Sequence, residues 1–525
     1  MNAITPDKYQ RAVINSTKKD ILVLAGAGSG KTFTLLNKIC NLVEKGVNAE
    51  NILVLTFTRV ASINMREKYL EMRDTKHEAT PDFFTFHAFC YSVLLQYPEI
   101  FKALGYESLP TIADDITMSQ YEMQAKNLCH FNLTNKDISM VKRGKLRGPK
   151  KLKYENYCQI LDNIIKSHNV IDMNTLSEGV CNLFKINHEC IIPVTKQYKY
   201  LFVDEFQDTD ENQYEFVKSM TKCRRVLCGD ALQNIYQFRG CSNEPLKELV
   251  NDEEWSVYRL PINYRSSYKI CDYVNNLSSN FISKKYRIEL QSDIAGPNVR
   301  ECYSEHEDKY EDLYKYVIWA SKQGNVAVLC RTNEEVYSYS NYLKSCGITV
   351  TNNKDSDYAV DILKCALSED YMYSFLVSNL SNEDYSSYIK LVACNSNVDW
   401  NKFKSVQSIL EDIKSNDLVL QCNDIKSATY MLCSRFGVDT PSNNEIEDKQ
   451  ELFSYLLNRC QSKQDSKVYI GTIHSVKGLE YKSVVVIGVN GKTFSITCED
   501  NENLLYTACT RAKKNLIVFK SNKNK

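Results

Sequence analysis

A chain of 525 residues is too long for one hydrophobic core and predicts roughly two to four domains. Its hydrophobic content of 43% is ordinary for a globular protein. Its 65 basic residues balance 65 acidic ones, which excludes a global basic field, so any polyanion-binding surface has to be local. The 20 cysteines include no C-x-x-C pair and read as small buried hydrophobes of a reducing compartment, not as a metal site. The opening MNAITPDKYQ has no apolar signal segment, and apolar runs such as Val484–Ile487 fall far short of the ~20 residues that span a bilayer. The expectation is a soluble intracellular protein, cytoplasmic or nuclear, with no membrane partner.

In chain order, β-branched runs predict strands over Ile21–Leu24, Asn51–Phe57, Tyr200–Val203, Arg225–Cys228, Val326–Cys330, Ser483–Ile487 and Leu516–Phe519. Continuous apolar strands alternating with helical patterns predict parallel sheets covered on both faces. The strands form two groups, before about residue 260 and after about 320, so the fold class is α/β with two cores. Two stretches without such strands, 89–195 and 357–463, read as inserted helical subdomains. The first carries the basic run Lys142–Lys153, KRGKLRGPKKLK, which is a solvated loop or a contact with duplex backbone.

The segment ILVLAGAGSGKT runs from strand to glycine-rich turn to helix. Ala25, Gly26, Ala27, Gly28, Ser29 and Gly30 form a turn whose glycines allow close backbone approach to phosphate oxygens. Lys31 can reach the β- and γ-phosphates, and Thr32 can ligate Mg²⁺. Ala25 stands where the strict pattern has glycine. A second strand, YLFVDE, ends in Asp204 and Glu205. Beside a phosphate loop, Asp204 suits a metal and Glu205 suits activation of the attacking water.

DEFQDT (Asp204–Thr209) resembles the second helicase motif of the UvrD/Rep branch of superfamily 1 helicases. TPDKYQRAVI resembles the Q motif, and LTFTRVASINMREK and TFHAF resemble DNA-contacting motifs. GDALQNIYQFRG, INYRSS, GTIHSVKGLEYKSVVVIG and LLYTACTRAKKNL follow in the family's order as motifs III to VI. The resemblance covers both α/β halves but neither insertion. It implies two RecA-like domains, each interrupted by a helical insertion: 1A over 1–88 and 196–258, 1B over 89–195, 2A over 259–356 and 464–525, and a reduced 2B over 357–463.

The same resemblance implies ATP and Mg²⁺ as cofactors. Lys31, Glu205, Gln233, Arg265 and Arg511 take the catalytic positions, with Gln233 sensing the γ-phosphate and the two arginines acting as fingers from the second half. Gln10 would read adenine, Tyr264 stack on it and Glu480 contact the ribose. Phe57, Thr58, Phe86, His87, Tyr236, Phe238, Arg239, Thr472 and His474 would contact DNA, with aromatic rings as stacking platforms. The partners implied are single-stranded DNA and single-strand/duplex junctions, and the polarity implied is 3′ to 5′. A translocase that barely unwinds would need the same motifs. A DNA-binding scaffold with a silent ATPase would not need Lys31, Glu205, Arg265 and Arg511 intact. Motif III departs from the family at Ala231 and Leu232, where an acidic run is usual. The chain stops soon after motif VI, so no C-terminal nuclease is expected.

Overall fold

The computed structural model describes residues 5–73, 79–113, 115–130, 133, 148–237, 241–303, 309–351, 467–490, 494–496 and 498–520. The expected insertion over 357–463, Phe238, Arg239 and residues 142–147 of the basic run lie outside the described residues. Packing divides the chain into two units. The first comprises Met1–Val299 and Phe494–Asn515, the second Arg300–Thr493 and Leu516–Lys525.

The first unit is built on β1 (Asp20–Ala25), β2 (Ile52–Thr56), β3 (Asp82–Thr85), β6 (Tyr200–Val203), β7 (Arg224–Gly229) and β8 (Ser256–Leu260). Their order is β3-β2-β6-β7-β1-β8, and every pairing is parallel. The period of two along β1 sorts side chains to opposite faces. Ile21, Val23 and Ala25 join a core with Leu35, Ile39, Met65 and Tyr69 from helices α2 (Lys31–Glu44) and α3 (Arg59–Arg73). Leu22 and Leu24 join the other core, with Phe89, Val93, Phe184 and Phe216. Each fully buried aliphatic side chain contributes roughly 1.5–3 kcal/mol, so a strand apolar on both faces is fixed from both sides.

Between β3 and β6 lie the helices Phe86–Gln96, Pro98–Ala103, Asp115–Leu128, Pro149–Ser167, Met173–Lys185 and Ile192–Gln197. A two-residue parallel ribbon, β4 (Thr111–Ile112) with β5 (Val170–Ile171), accompanies them. Phe184 meets Phe216 edge-on at 4.7 Å between ring centres and Phe89 at 6.3 Å, so this insertion shares the core of the sheet it interrupts.

The second unit holds β9 (Arg300–Tyr303), β10 (Val326–Cys330), β11 (Val350–Thr351), β12 (Val468–Thr472), β13 (Tyr481–Val489) and, from Leu516 on, β14 (Ala512–Lys520), in the order β11-β12-β10-β13-β14-β9. The pairs β10–β12, β10–β13, β11–β12 and β9–β14 are parallel. Helices Lys309–Ser321 and Asn333–Ser345 place Val317, Tyr339 and Leu343 against Val326, Val328 and Val485.

The seven strands expected from apolar runs are all present. The strands β3, β8, β9 and β11 carry no such run, and each sits at a sheet edge. An edge strand is half solvated and accepts charge, as DFFT, SVYRL and RECY show. Among the described residues no helix is long and apolar enough to cross a membrane.

Candidate active site

Because the first sheet is wholly parallel, the turns after all its strands fall on one rim, the usual place for a ligand in an α/β sheet. The turn after β1 is the glycine loop. Gly28 and Gly30 have φ of +69° and +76°, which a side chain would resist. A Cβ on Gly28 would lie 2.8 Å from Arg265 Cβ, so the loop has no room for one. Ser29 is buried, and its Oγ finds no partner among the described residues. A cradle closed to side chains, with an orphaned hydroxyl inside it, fits a phosphate group.

Lys31 and Thr32 open α2. Lys31 Nζ is 3.6 Å from Glu205 Oε2, and Thr32 Oγ1 donates to Asp204 Oδ2 at 3.0 Å. Burial opposes the charge on Lys31, but Glu205, Asp230 and Asp204 outweigh it and hold the ammonium above its ordinary pKa. Burial, and then the Glu205 carboxylate, raise Asp204 to about 6. Thr32 and Asp204 together fit a divalent cation. Among the described residues no cluster of three or more His, Cys, Asp or Glu could hold a metal. A cation here would therefore rely on phosphate oxygens and water for most of its shell, as Mg²⁺ does.

Glu205 occupies the left-handed region, φ +52°, a conformation that costs a non-glycine residue about 1–3 kcal/mol. Gln207 Nε2 donates to Glu205 Oε2 at 2.6 Å, while Gln207 Oε1 accepts from Asp230 N at 3.0 Å. One side chain thus ties the turn after β6 to the turn after β7.

Asp230 and Gln233 follow β7. Asp230 Oδ2 accepts from Gln233 Nε2 at 2.8 Å and from Tyr506 at 3.2 Å. Gln233 Oε1 in turn accepts from Arg511 Nη2 at 3.0 Å. Ala231 and Leu232 are both buried, so a carboxylate in either place would be buried too. Arg511 is only 2% exposed, and it also donates through Nε to Thr507 O at 3.0 Å. Burial, and then the neighbouring Arg265 guanidinium, lower its pKa to about 9. The Glu205 and Asp230 carboxylates oppose that lowering and stabilise the buried charge. Arg265 Nη1 donates to Thr510 O at 3.3 Å.

Arg265 and Arg511, assigned by sequence to the second α/β half, are grouped by packing with Lys31 and Glu205 in the first unit. The helix Glu499–Cys509, which precedes Arg511, packs on the turn Ala231–Gln233 and on the helix Tyr268–Ser278.

At the far end of the loop, Gln10 lies in α1 (Lys8–Asn15). Its Nε2 donates to Ser29 O at 3.0 Å and its Oε1 accepts from Asp7 N at 3.1 Å, closing a capping box. Tyr264 is 52% exposed, a free face for stacking, while its hydroxyl donates to Asp7 Oδ2 at 2.5 Å. Asp7, Gln207, Asp230, Asn263 and Tyr506 were missed in the sequence, because a lone polar residue gives no pattern until its distant partner is known.

Phe57 and Tyr236 stack with ring centres 5.0 Å apart and planes at 22°, both half-buried, with exposed Thr58 beside them. His87 is half-buried, and its Nε2 lies 3.3 Å from Asn174 Oδ1. Phe86 departs from expectation: it is 5% exposed and meets Phe216 edge-on at 6.0 Å, so its ring belongs to the core. Thr472, His474 and Glu480 lie in the second unit, the first two half-buried and Glu480 exposed.

A parallel sheet with a glycine loop, an adjacent acidic pair and a buried arginine defines a P-loop protein built for a nucleoside triphosphate. Comparison with known families narrows this. The UvrD/REP helicase N-terminal domain matches residues 7–254, and the UvrD-like helicase C-terminal domain matches 258–358 and 400–523. The chain belongs to the UvrD-like helicase family, and its sheets are those of two RecA-like lobes. It is 23% identical to a protein of Mycoplasma pneumoniae named as a probable DNA helicase II homolog, over 98% of this chain and 83% of that protein. It is also 23% identical to ATP-dependent DNA helicase Rep of Buchnera aphidicola, over 97% of this chain and 93% of Rep. The same identity, over 97% of this chain and 82% of the relative, holds for ATP-dependent DNA helicase PcrA of Staphylococcus aureus.

Proposed function

We propose that the chain is a DNA-stimulated ATPase that moves along single-stranded DNA, 3′ to 5′, and unwinds duplex at single-strand junctions. The observation that carries this reading is the convergence of Lys31, Thr32, Asp204, Glu205, Gln233, Arg265 and Arg511 around one glycine loop. The relatives named as ATP-dependent DNA helicases support the choice of ATP and DNA.

In this reading the loop amides and Lys31 bind the phosphates. Glu205, held in its strained turn by Gln207, takes the proton of the attacking water. Arg511 and Arg265 stabilise the charge that spreads over the transferred phosphoryl group. Gln233 bridges Asp230 and Arg511, and so ties the arginine to the turn after β7. Mg²⁺, held by Thr32 and Asp204, would supply neutralisation of the phosphate charge. Tyr264 stacks on the adenine, with Gln10 at its edge and Glu480 at the ribose. Phe57, Thr58, His87, Tyr236, Thr472 and His474 contact the strand. The domain division into 1A, 1B, 2A and a reduced 2B belongs to the same proposal.

The test pairs a phosphate-release assay, with and without single-stranded DNA, with unwinding of 3′- and 5′-tailed duplexes in ATP and Mg²⁺. The expected result is DNA-stimulated hydrolysis and unwinding of the 3′-tailed substrate. Unwinding of the 5′-tailed substrate alone would reject the polarity, and no hydrolysis under any condition would reject the motor.

A further inference from the structure

Asn263, in the turn after β8, is 2% exposed and uses every polar atom of its side chain. Its Nδ2 donates to Ala27 O at 2.7 Å. Its Oδ1 accepts from Arg265 N at 2.8 Å and from Ser266 N at 2.7 Å. Its own amide donates to Gln291 O at 2.7 Å, and the next amide, Tyr264 N, donates to Gly28 O at 2.9 Å. One carboxamide thus grips the glycine loop with one end and the start of the Arg265 turn with the other.

A peptide group is planar and trans, so its C=O and N–H point in opposite directions. Fixing Ala27 O toward Asn263 therefore aims the Gly28 N–H away from it, to the other side of the loop. Fixing Gly28 O on Tyr264 N secures the following peptide in the same way. Gly28 holds φ +69°, and a side chain there would strike Arg265 Cβ and the Asn263 amide, so the two loops are in contact with nothing between them. The Oδ1 contacts are those of an Asx turn, which sets the backbone of Arg265 relative to the same amide.

We infer that Asn263 is a positioning residue: it makes the phosphate-facing amide of the glycine loop and the Arg265 turn one unit, so that phosphate grip and arginine placement are set together. This rests on the reading of the site as an ATPase. Asn263 touches neither phosphate nor water in this role. It acts on turnover through Arg265, whose turn it holds in register with the glycine loop at Ala27 and Gly28.

The experiment compares wild type, Asn263→Asp, Asn263→Ala, Arg265→Ala and Asn263→Asp/Arg265→Ala. Asn263→Asp keeps the acceptor for Arg265 N and Ser266 N and loses the donor to Ala27 O, so the turn is retained while the grip on the loop is cut. The readouts are the affinity for a fluorescent ATP analogue, kcat with saturating single-stranded DNA, and the unfolding midpoint. Loss of one buried hydrogen bond with its acceptor left unpaired predicts a kcat roughly 10- to 100-fold below wild type in Asn263→Asp. Because the residue acts through Arg265, the double variant is expected to fall close to Arg265→Ala alone and well short of the product of the two losses. Wild-type kcat in Asn263→Asp overturns the inference, whether or not the unfolding midpoint falls, and so do fully multiplicative losses. If wild type itself does not hydrolyse ATP, the functional reading fails instead, which separates the two outcomes.

Discussion

Asp204 is buried at the end of β6, and its carboxyl titrates near 6 where an ordinary aspartate titrates at 3.8. Burial, and then the adjacent Glu205, disfavour its charge. A folded pKa above the unfolded one means the native state holds the proton more tightly. The cost of ionising Asp204 is therefore absent well below pH 4, grows between about 4 and 6, and is present in full above 6. At about 1.36 kcal/mol per decade of proton concentration, the rise amounts to roughly 3 kcal/mol at pH 7.5 and to roughly half of that at pH 5. Asp204→Asn removes that cost and keeps one acceptor oxygen, for either the Thr32 hydroxyl or the Glu205 amide. The variant is expected to be inactive and more stable: urea unfolding of the metal-free protein, followed by tryptophan fluorescence, should show a gain of up to about 3 kcal/mol at pH 7.5. The gain should be about half as large at pH 5. An equal gain at both pH values, or a loss at pH 7.5, would refute the electrostatic argument. It would leave Asp204 as an ordinary hydrogen-bond acceptor.

Other outcomes follow from the same geometry. Lys31→Ala should abolish phosphate release. Arg511→Ala should keep nucleotide binding but lose on the order of 10³-fold in turnover, as arginine fingers do, and an unchanged kcat would remove Arg511 from the site. Gly28→Ala should cost more stability than Gly46→Ala. Both residues have positive φ, which costs about 1 kcal/mol, but only at Gly28 does the new methyl meet a neighbour. Equal unfolding midpoints for the two would contradict the packing described. Phe57→Ala and Tyr236→Ala should each weaken single-stranded DNA binding roughly 10- to 100-fold, with a loss of stability of only about 1 kcal/mol from the broken ring stack. Phe86→Ala should destabilise the fold by about 3–5 kcal/mol, with DNA binding by the folded protein little changed. Fluorescence anisotropy beside thermal unfolding separates the two behaviours.

The glycine loop was legible in the sequence because its signal is local: an apolar strand, glycines at fixed intervals and a lysine opening a helix. Central strands were legible because burial on both faces leaves an unbroken apolar run, as in ILVLT over Ile52–Thr56. Edge strands were not, since one side is solvated, and β12 was hidden because Gly471 breaks its run. Phe86 was misread for a different reason. It sits inside a motif that otherwise faces the rim, but it is the first residue of a helix whose buried side turns it toward Phe216. Asn263 and Asp230 escaped notice because their partners lie some two hundred and more residues away in the chain, at Ala27 and Tyr506. No window along the sequence contains both ends of such a bond.

The grouping of residues 494–515 with 1–299 has a consequence for synthesis. On the ribosome the glycine loop emerges early, whereas Arg511 appears only after residues 300–493 of the second unit have been made. A nascent or prematurely terminated product can therefore carry the phosphate loop but not the guanidinium that completes the site. If Arg511 is the finger proposed above, turnover waits until translation has passed residue 511, and an unfinished copy is expected to hold nucleotide without hydrolysing it.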